Sequence, residues 1–179
     1  ELPPAIRVLV VDDGSRDDTA GVAREAGAEV IVHEANRGKG AALATGFAWA
    51  VAEKLDWVYT MDADGQHLPG EMVAFREEAD RGGWDVVVGT RMARTVGMPW
   101  LRKRTNEFTS RVVSQLAGTA IPDSQNGYRL FRVRCLEGLR LRTTRYDTES
   151  EILVRLARRG WRIGSVTVST VYGDEKSSI

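Results

Sequence analysis

Two carboxylates stand one residue apart in Met61-Asp62-Ala63-Asp64-Gly65-Gln66, directly after the apolar, aromatic run 57–61. Carboxylates this close repel unless a proton or a cation lies between them. A hard divalent ion, Mg2+ or Mn2+, shared with a phosphate-bearing substrate is the natural partner. Asp62 and Asp64 would hold the ion and Gln66 could add a neutral oxygen. Such an ion would neutralise the charge on a leaving diphosphate. Asp and Gly also build ordinary surface turns, so this motif alone decides little.

Other residues extend the pattern. Asp12 and Asp13 follow an apolar run and could accept hydrogen bonds from a nucleobase or ribose. Arg37 and Lys39 flank Gly38 ahead of a helix, where both the side chains and the helix N-terminus favour phosphate. Arg91 follows another apolar run, and Arg102, Lys103 and Arg104 make the most basic stretch of the chain. Guanidinium groups suit bidentate phosphate binding, although a basic helix face is often only solvated. Glu149 shares helical spacing with Ile152, Leu153 and Leu156, which puts a carboxylate on an apolar face. There it needs a partner such as Arg129, a place lining a cleft, or the favourable dipole of a helix N-terminus. His33 and His67 are too far apart for a histidine metal site, and His67 reads as a turn residue. No serine has a histidine at triad spacing.

The elements that position these groups alternate. Strands are expected over 6–11, 29–33, 57–61, 85–88, 128–131 and 163–172. Helices are expected to about 26, from about 40 to 55, over 70–80, after 104, and over 148–158. Phe108, Val112 and Leu116 are expected to form the apolar face of the helix after 104. Strand–helix alternation indicates an α/β domain with a mainly parallel sheet. In such a sheet Asp12-Asp13, Asp62-x-Asp64 and Gly89-Thr90-Arg91 all fall at carboxyl ends of strands, on the rim where ligands bind.

Composition sets bounds. The chain of 179 residues suits a single domain, and 25 basic residues balance 25 acidic ones, which argues against a nucleic-acid footprint. The one cysteine, Cys135, excludes an internal disulfide framework and reads as a small buried hydrophobe. No apolar run approaches the ~20 residues that span a bilayer. Neither end has the look of a finished domain boundary, so residues 1–179 are read as one catalytic domain incomplete at both ends.

Taken together, these stretches resemble the family 2 glycosyltransferases of the GT-A fold, most closely the dolichyl- or polyprenyl-phosphate mannose and glucose synthases. The matching segments include Val11-Asp12-Asp13-Gly14-Ser15, Asn36-Arg37-Gly38-Lys39-Gly40, Met61-Asp62-Ala63-Asp64-Gly65-Gln66-His67 and Gly89-Thr90-Arg91. Asp123-Ser124-Gln125-Asn126-Gly127-Tyr128-Arg129 and Tyr172-Gly173-Asp174-Glu175-Lys176-Ser177 continue the match. The resemblance implies a Rossmann-like three-layer sandwich and a metal-dependent hexosyltransferase using Mg2+ or Mn2+. The donor would be GDP-mannose or UDP-glucose, and the acceptor a polyprenyl or dolichyl phosphate whose oxygen attacks C1 with inversion.

By the same resemblance, Asp12, Asp13, Lys39 and Asp62 bind the nucleotide sugar, and Asp62, Asp64 and Gln66 bind the metal. Arg91, Arg102 and Arg104 receive the acceptor phosphate. Asp123 and Arg91 serve the transfer step, Asp123 either assisting it or orienting the sugar. A cytoplasmic location with peripheral contact at the membrane face is implied.

The family opens with a central strand bearing a Pro-x-x-Asn-Glu-like segment, and this chain begins at what resembles the second strand, so the first strand is expected to be missing. A Gln-x-x-Arg-Trp segment is absent, which favours single-sugar transfer over processive synthesis. Three rivals stand: a transferase with a glycan, protein or small hydroxyl acceptor, a non-catalytic relic, and a haloacid-dehalogenase-like phosphatase. The last also uses D-x-D-G, but with Thr or Val where Gln66 stands.

Overall fold

The computed structural model describes residues 6–91, 100–143 and 147–169, and the expectations on 92–99 and 172–177 lie outside them. The strands are β1 (Leu9–Asp12), β2 (Glu29–Val32), β3 (Trp57–Thr60), β4 (Val86–Thr90), β5 (Arg129–Arg132) and β6 (Ile163–Thr167). The helices are α1 (Thr19–Glu25), α2 (Lys39–Ala52), α3 (Met72–Gly82), α4 (Trp100–Ala117) and α5 (Asp147–Arg158).

β1 and β2 form a parallel pair. The other four strands form a sheet in the order β3-β5-β4-β6. β5 runs antiparallel to both its neighbours and β4 runs parallel to β6. Thus β3, β4 and β6 point one way, as the strand–helix alternation predicts, and one reversed strand lies among them. Tyr128-Arg129-Leu130-Phe131 gives no hint of its direction, because a short buried strand reads alike in either sense. The two sheets share no ladder among the described residues, and α2 packs on both β1 and β3.

β4 is buried along its whole length, so its alternating side chains divide between two cores. Val86 and Val88 join Phe131, Phe47, Val113, Ile152, Leu153 and Leu156 on the face covered by α2, α4 and α5. Val87 joins Leu130, Tyr128, Phe75, Met72 and Ala79 on the face covered by α3. The result is helix, sheet, helix in three layers. Each Val, Leu, Ile, Phe or Met side chain among them contributes about 2 kcal/mol through burial. Cys135 lies in the first core, where burial pushes its thiol up to about 12 and leaves it unreactive.

Two expectations change. β1 begins at Leu9 and is only half buried up to Asp12, where a fully buried strand from Ile6 was expected. Phe108, Val112 and Leu116 are exposed, at 70%, 38% and 51%. The inward face of α4 carries Ser110, Val113 and Ser114 instead. The Ser110 hydroxyl accepts the Ser124 amide at 3.0 Å, and the Ser114 hydroxyl accepts the Ile121 amide at 2.9 Å. Hydrogen bonding to the segment after α4, and not the apolar stripe, sets how this helix is turned.

Candidate active site

Lys39 is the first residue of α2, and its side chain reaches across to two carboxylates. Its ammonium lies 2.7 Å from Asp62 Oδ1 and 2.7 Å from Glu149 Oε1. Burial favours the neutral amine, but Glu149 and Asp62 outweigh it and raise the Lys39 pKa above its ordinary value. Asp62 follows β3, and Glu149 lies buried in the first turn of α5. Of the readings open for Glu149, the structure shows two together: it stands at a helix N-terminus and it is paired, with Lys39 as the partner.

The turn before β5 supports Asp62 from below. A Cβ on Gly127 would fall 2.7 Å from Asp62 Oδ2, so only glycine leaves room for that carboxylate. Thr60 Oγ1 donates to the Gly127 carbonyl at 2.8 Å and fastens the end of β3 to the turn. Beneath it, the buried guanidinium of Arg129 donates to the carbonyls of Ser124, Asn126 and Glu149 at 2.8–2.9 Å. Burial lowers its pKa, and Glu149, Asp123 and Asp62 oppose that shift. One buried cation therefore underlies three carboxylates of the site. A lone arginine between Tyr128 and Leu130 was the available sign of this role.

Arg91 and Asp123 form a second pair. Arg91 Nε donates to Asp123 Oδ2 at 2.9 Å and Nη2 to Oδ1 at 3.1 Å. The Gln125 amide also donates to Oδ1, at 3.3 Å. The Asp123 side chain is wholly enclosed. Its oxygens face Arg91, so its contacts are those of a group that holds the guanidinium in place.

Asp12 and Asp13 belong to the parallel pair. Asp12 is buried, and hydrogen bonds from Ser15 hold its pKa low. Asp13 Oδ1 lies 2.6 Å from His33 Nδ1 and accepts the Arg37 amide at 3.0 Å, while Oδ2 accepts the Gly38 amide at 2.7 Å. Burial opposes its charge, yet His33, Arg37 and Gly38 hold its pKa below the usual range. Asp13 thus shapes the loop that starts α2. His33, which sequence reasoning passed over, completes the tie by reaching Thr45 Oγ1 at 2.9 Å.

Asp64 is exposed, and its Oδ1 accepts the Gln66 amide at 3.0 Å. His67 is a turn residue buried against Tyr128, and burial lowers its pKa against the opposing pull of Asp62 and Asp64. Arg104 is exposed on α4, and the side chain of Arg102 lies outside the described residues. Among the described residues no three His, Cys, Asp or Glu side chains gather as they would around a metal. Asp62 and Asp64 are hard oxygen donors of the kind Mg2+ or Mn2+ takes, although Asp62 Oδ1 is engaged by Lys39. In donor chemistry, the pair fits such an ion.

Comparison with known proteins gives this rim a context. Residues 2–140 match the model of glycosyl transferase family 2. The UDP-N-acetylglucosamine–dolichyl-phosphate N-acetylglucosaminyltransferase of Methanococcus voltae is 32% identical, over 92% of this chain and 74% of that protein. The undecaprenyl-phosphate mannosyltransferase of Micrococcus luteus is 31% identical, over 98% of this chain and 77% of that protein. Among solved structures, glucosyl-3-phosphoglycerate synthase of Mycobacterium tuberculosis, in complex with Mn2+, uridine diphosphate and phosphoglyceric acid, superposes with a TM-score of 0.70. Its sequence identity is 20%, and the match covers 95% of this chain but 61% of that one.

Proposed function

The chain belongs to glycosyl transferase family 2, and on that premise we propose that it transfers a single hexose from a nucleoside diphosphate sugar to a polyprenyl phosphate. The observation that carries this reading is the pairing of two charged devices on one rim. Lys39 with Asp62 suits a donor diphosphate, and Arg91, fixed by Asp123, suits an acceptor phosphate. Two relatives named for dolichyl- and undecaprenyl-phosphate transfer support the acceptor class. Their sugars differ, so mannose and glucose are proposed here together with N-acetylglucosamine.

In this reading the Asp12 side meets the nucleoside, and Asp13 holds the loop that presents Lys39. Asp62 and Asp64 would hold Mg2+ or Mn2+, with Gln66 as a neutral ligand, and such an ion would supply positive charge to offset that of the departing diphosphate. Lys39 adds a fixed positive charge beside the same oxygens. Arg91 and Arg104 receive the lipid phosphate, together with Arg102. An ionised phosphate oxygen needs no general base, which suits an Asp123 committed to Arg91. That oxygen attacks C1 as the nucleoside diphosphate leaves from the opposite face, and the anomeric centre inverts.

The test is calorimetric titration with GDP-mannose, UDP-glucose and UDP-N-acetylglucosamine, with Mn2+ and with chelator, followed by transfer to a polyprenyl phosphate. Metal-dependent binding of one donor and transfer to the lipid are expected. Absence of binding by the folded chain would overturn the reading. Transfer to a plain hydroxyl acceptor alone would move the alternative acceptor classes forward.

A further inference from the structure

We propose that Glu149 is a positioning residue that draws Lys39 off Asp62, so that this carboxylate can take a divalent ion. This rests on the metal reading above and adds how a lysine and an ion share one carboxylate. Lys39 Nζ stands 2.7 Å from Asp62 Oδ1, so the two cations compete for the same oxygen. The same ammonium stands 2.7 Å from Glu149 Oε1, which gives it a second seat.

Packing identifies the group that moves. Asp62 is hemmed in, because a Cβ on Gly127 would fall 2.7 Å from Oδ2 and 2.8 Å from Oδ1, and His67 Nε2 lies 4.0 Å from Oδ2. Glu149 is held in the first turn of α5, where its carbonyl accepts Arg129 Nη1 at 2.8 Å and its side chain is only 6% exposed. Lys39 is the flexible member, with a four-carbon stem and a side chain 29% exposed. A turn about its last bonds would give up Asp62 and keep Glu149.

Charge gives the second seat its purpose. A partly buried ammonium without a counter-charge is costly, so a lysine with Asp62 as its sole partner would hold that carboxylate against any ion. Glu149 lies in the less polar position of the two, where a carboxylate attracts a cation more strongly than it does in water. With an ion on Asp62, Lys39 therefore keeps one partner and Glu149 keeps its cation. The ammonium also stays beside the oxygens proposed to meet the donor diphosphate.

The experiment is titration of the full chain with Mn2+ alone, free Mn2+ being read by electron paramagnetic resonance. Glu149→Gln should weaken Mn2+ binding about fivefold, and Lys39→Ala should strengthen it about fivefold. In the Lys39→Ala background, Glu149→Gln should change it by no more than about twofold, because Glu149 then has no lysine to act through. If Lys39→Ala folds poorly by itself, the double variant set against Glu149→Gln carries the same test, with a gain of at least about tenfold expected. Donor affinity should fall in both Lys39 variants, opposite to Mn2+ affinity, which a merely loosened structure would not produce. An equal loss from Glu149→Gln in both backgrounds would mark a bare charge effect on the ion and overturn the inference. So would Mn2+ affinity unmoved by removal of Lys39. Mn2+-dependent donor binding by the wild type, measured on the same samples, separates the two readings. Its absence counts against the proposed function, and its presence with Mn2+ affinity unmoved by removal of Lys39 counts against this inference alone.

Discussion

Arg91 and Asp123 stand 32 residues apart in sequence and share two side-chain hydrogen bonds of 2.9 and 3.1 Å. The carboxylate is fully enclosed, and the Arg91 side chain is partly exposed. Arg91→Ala should raise the acceptor KM at least about tenfold and leave the donor KM within about twofold. Asp123→Asn should shift the same parameter, because its effect passes through Arg91. A double variant no worse than the stronger single one, in steady-state kinetics, is the expected signature of a shared role. Arg91→Lys should not rescue, since an ammonium cannot reproduce the two-pronged geometry.

Lys39→Ala would leave the buried Glu149 carboxylate without its ion-pair partner, with only the nearby Arg129 to offset its charge. A loss of about 2 kcal/mol in urea denaturation is expected. Adding Glu149→Gln should recover most of it, since a neutral amide needs no counter-charge. Donor affinity should stay low in both variants.

Asp64→Ala should abolish the Mn2+ dependence of donor binding in calorimetry. Its side chain is exposed and makes one local hydrogen bond, so the midpoint of thermal unfolding should move by no more than about 2 °C.

Gly127→Ala tests the space beneath Asp62. A Cβ 2.7–2.8 Å from both carboxylate oxygens must displace that side chain from Lys39. Donor binding should fall at least about tenfold while the circular dichroism spectrum is kept.

Glu151 provides a pH test away from the site. Burial opposes its charge, but hydrogen bonds from Thr143, Arg142 and Arg155 prevail and bring its pKa down to about 2 from 4.5. A carboxylate depressed on folding adds stability above its unfolded pKa and loses it as pH falls through the folded one. Stability should therefore decline between about pH 4.5 and 2. Urea midpoints across that window should fall less steeply in Glu151→Gln.

Part of the rim was legible from residue order. Apolar runs ending in Asp62 and Arg91 lead into the carboxyl ends of β3 and β4, which point one way on either side of β5, whereas Asp12 ends β1 in a separate two-stranded sheet and not in the common sheet expected. What was illegible depends on partners distant in sequence. Glu149 meets Lys39 across 110 residues, and Asp13 meets His33 across a helix. Periodicity found the stripe on α4 but could not say which way it turned. Two serines, with hydrogen-bonding partners visible only in three dimensions, decided that.

Neither apolar core includes a residue of β1, α1 or β2. This part is held by backbone pairing, by the packing of α2 and by the hydrogen bonds of Asp13. Such contacts open at lower free energy than a packed interior. Its amides should exchange with solvent long before those of β4 and β5, and a bound nucleotide should slow that exchange most here. The side of the molecule proposed to meet the nucleoside is thus also the one whose order is most readily altered by a ligand.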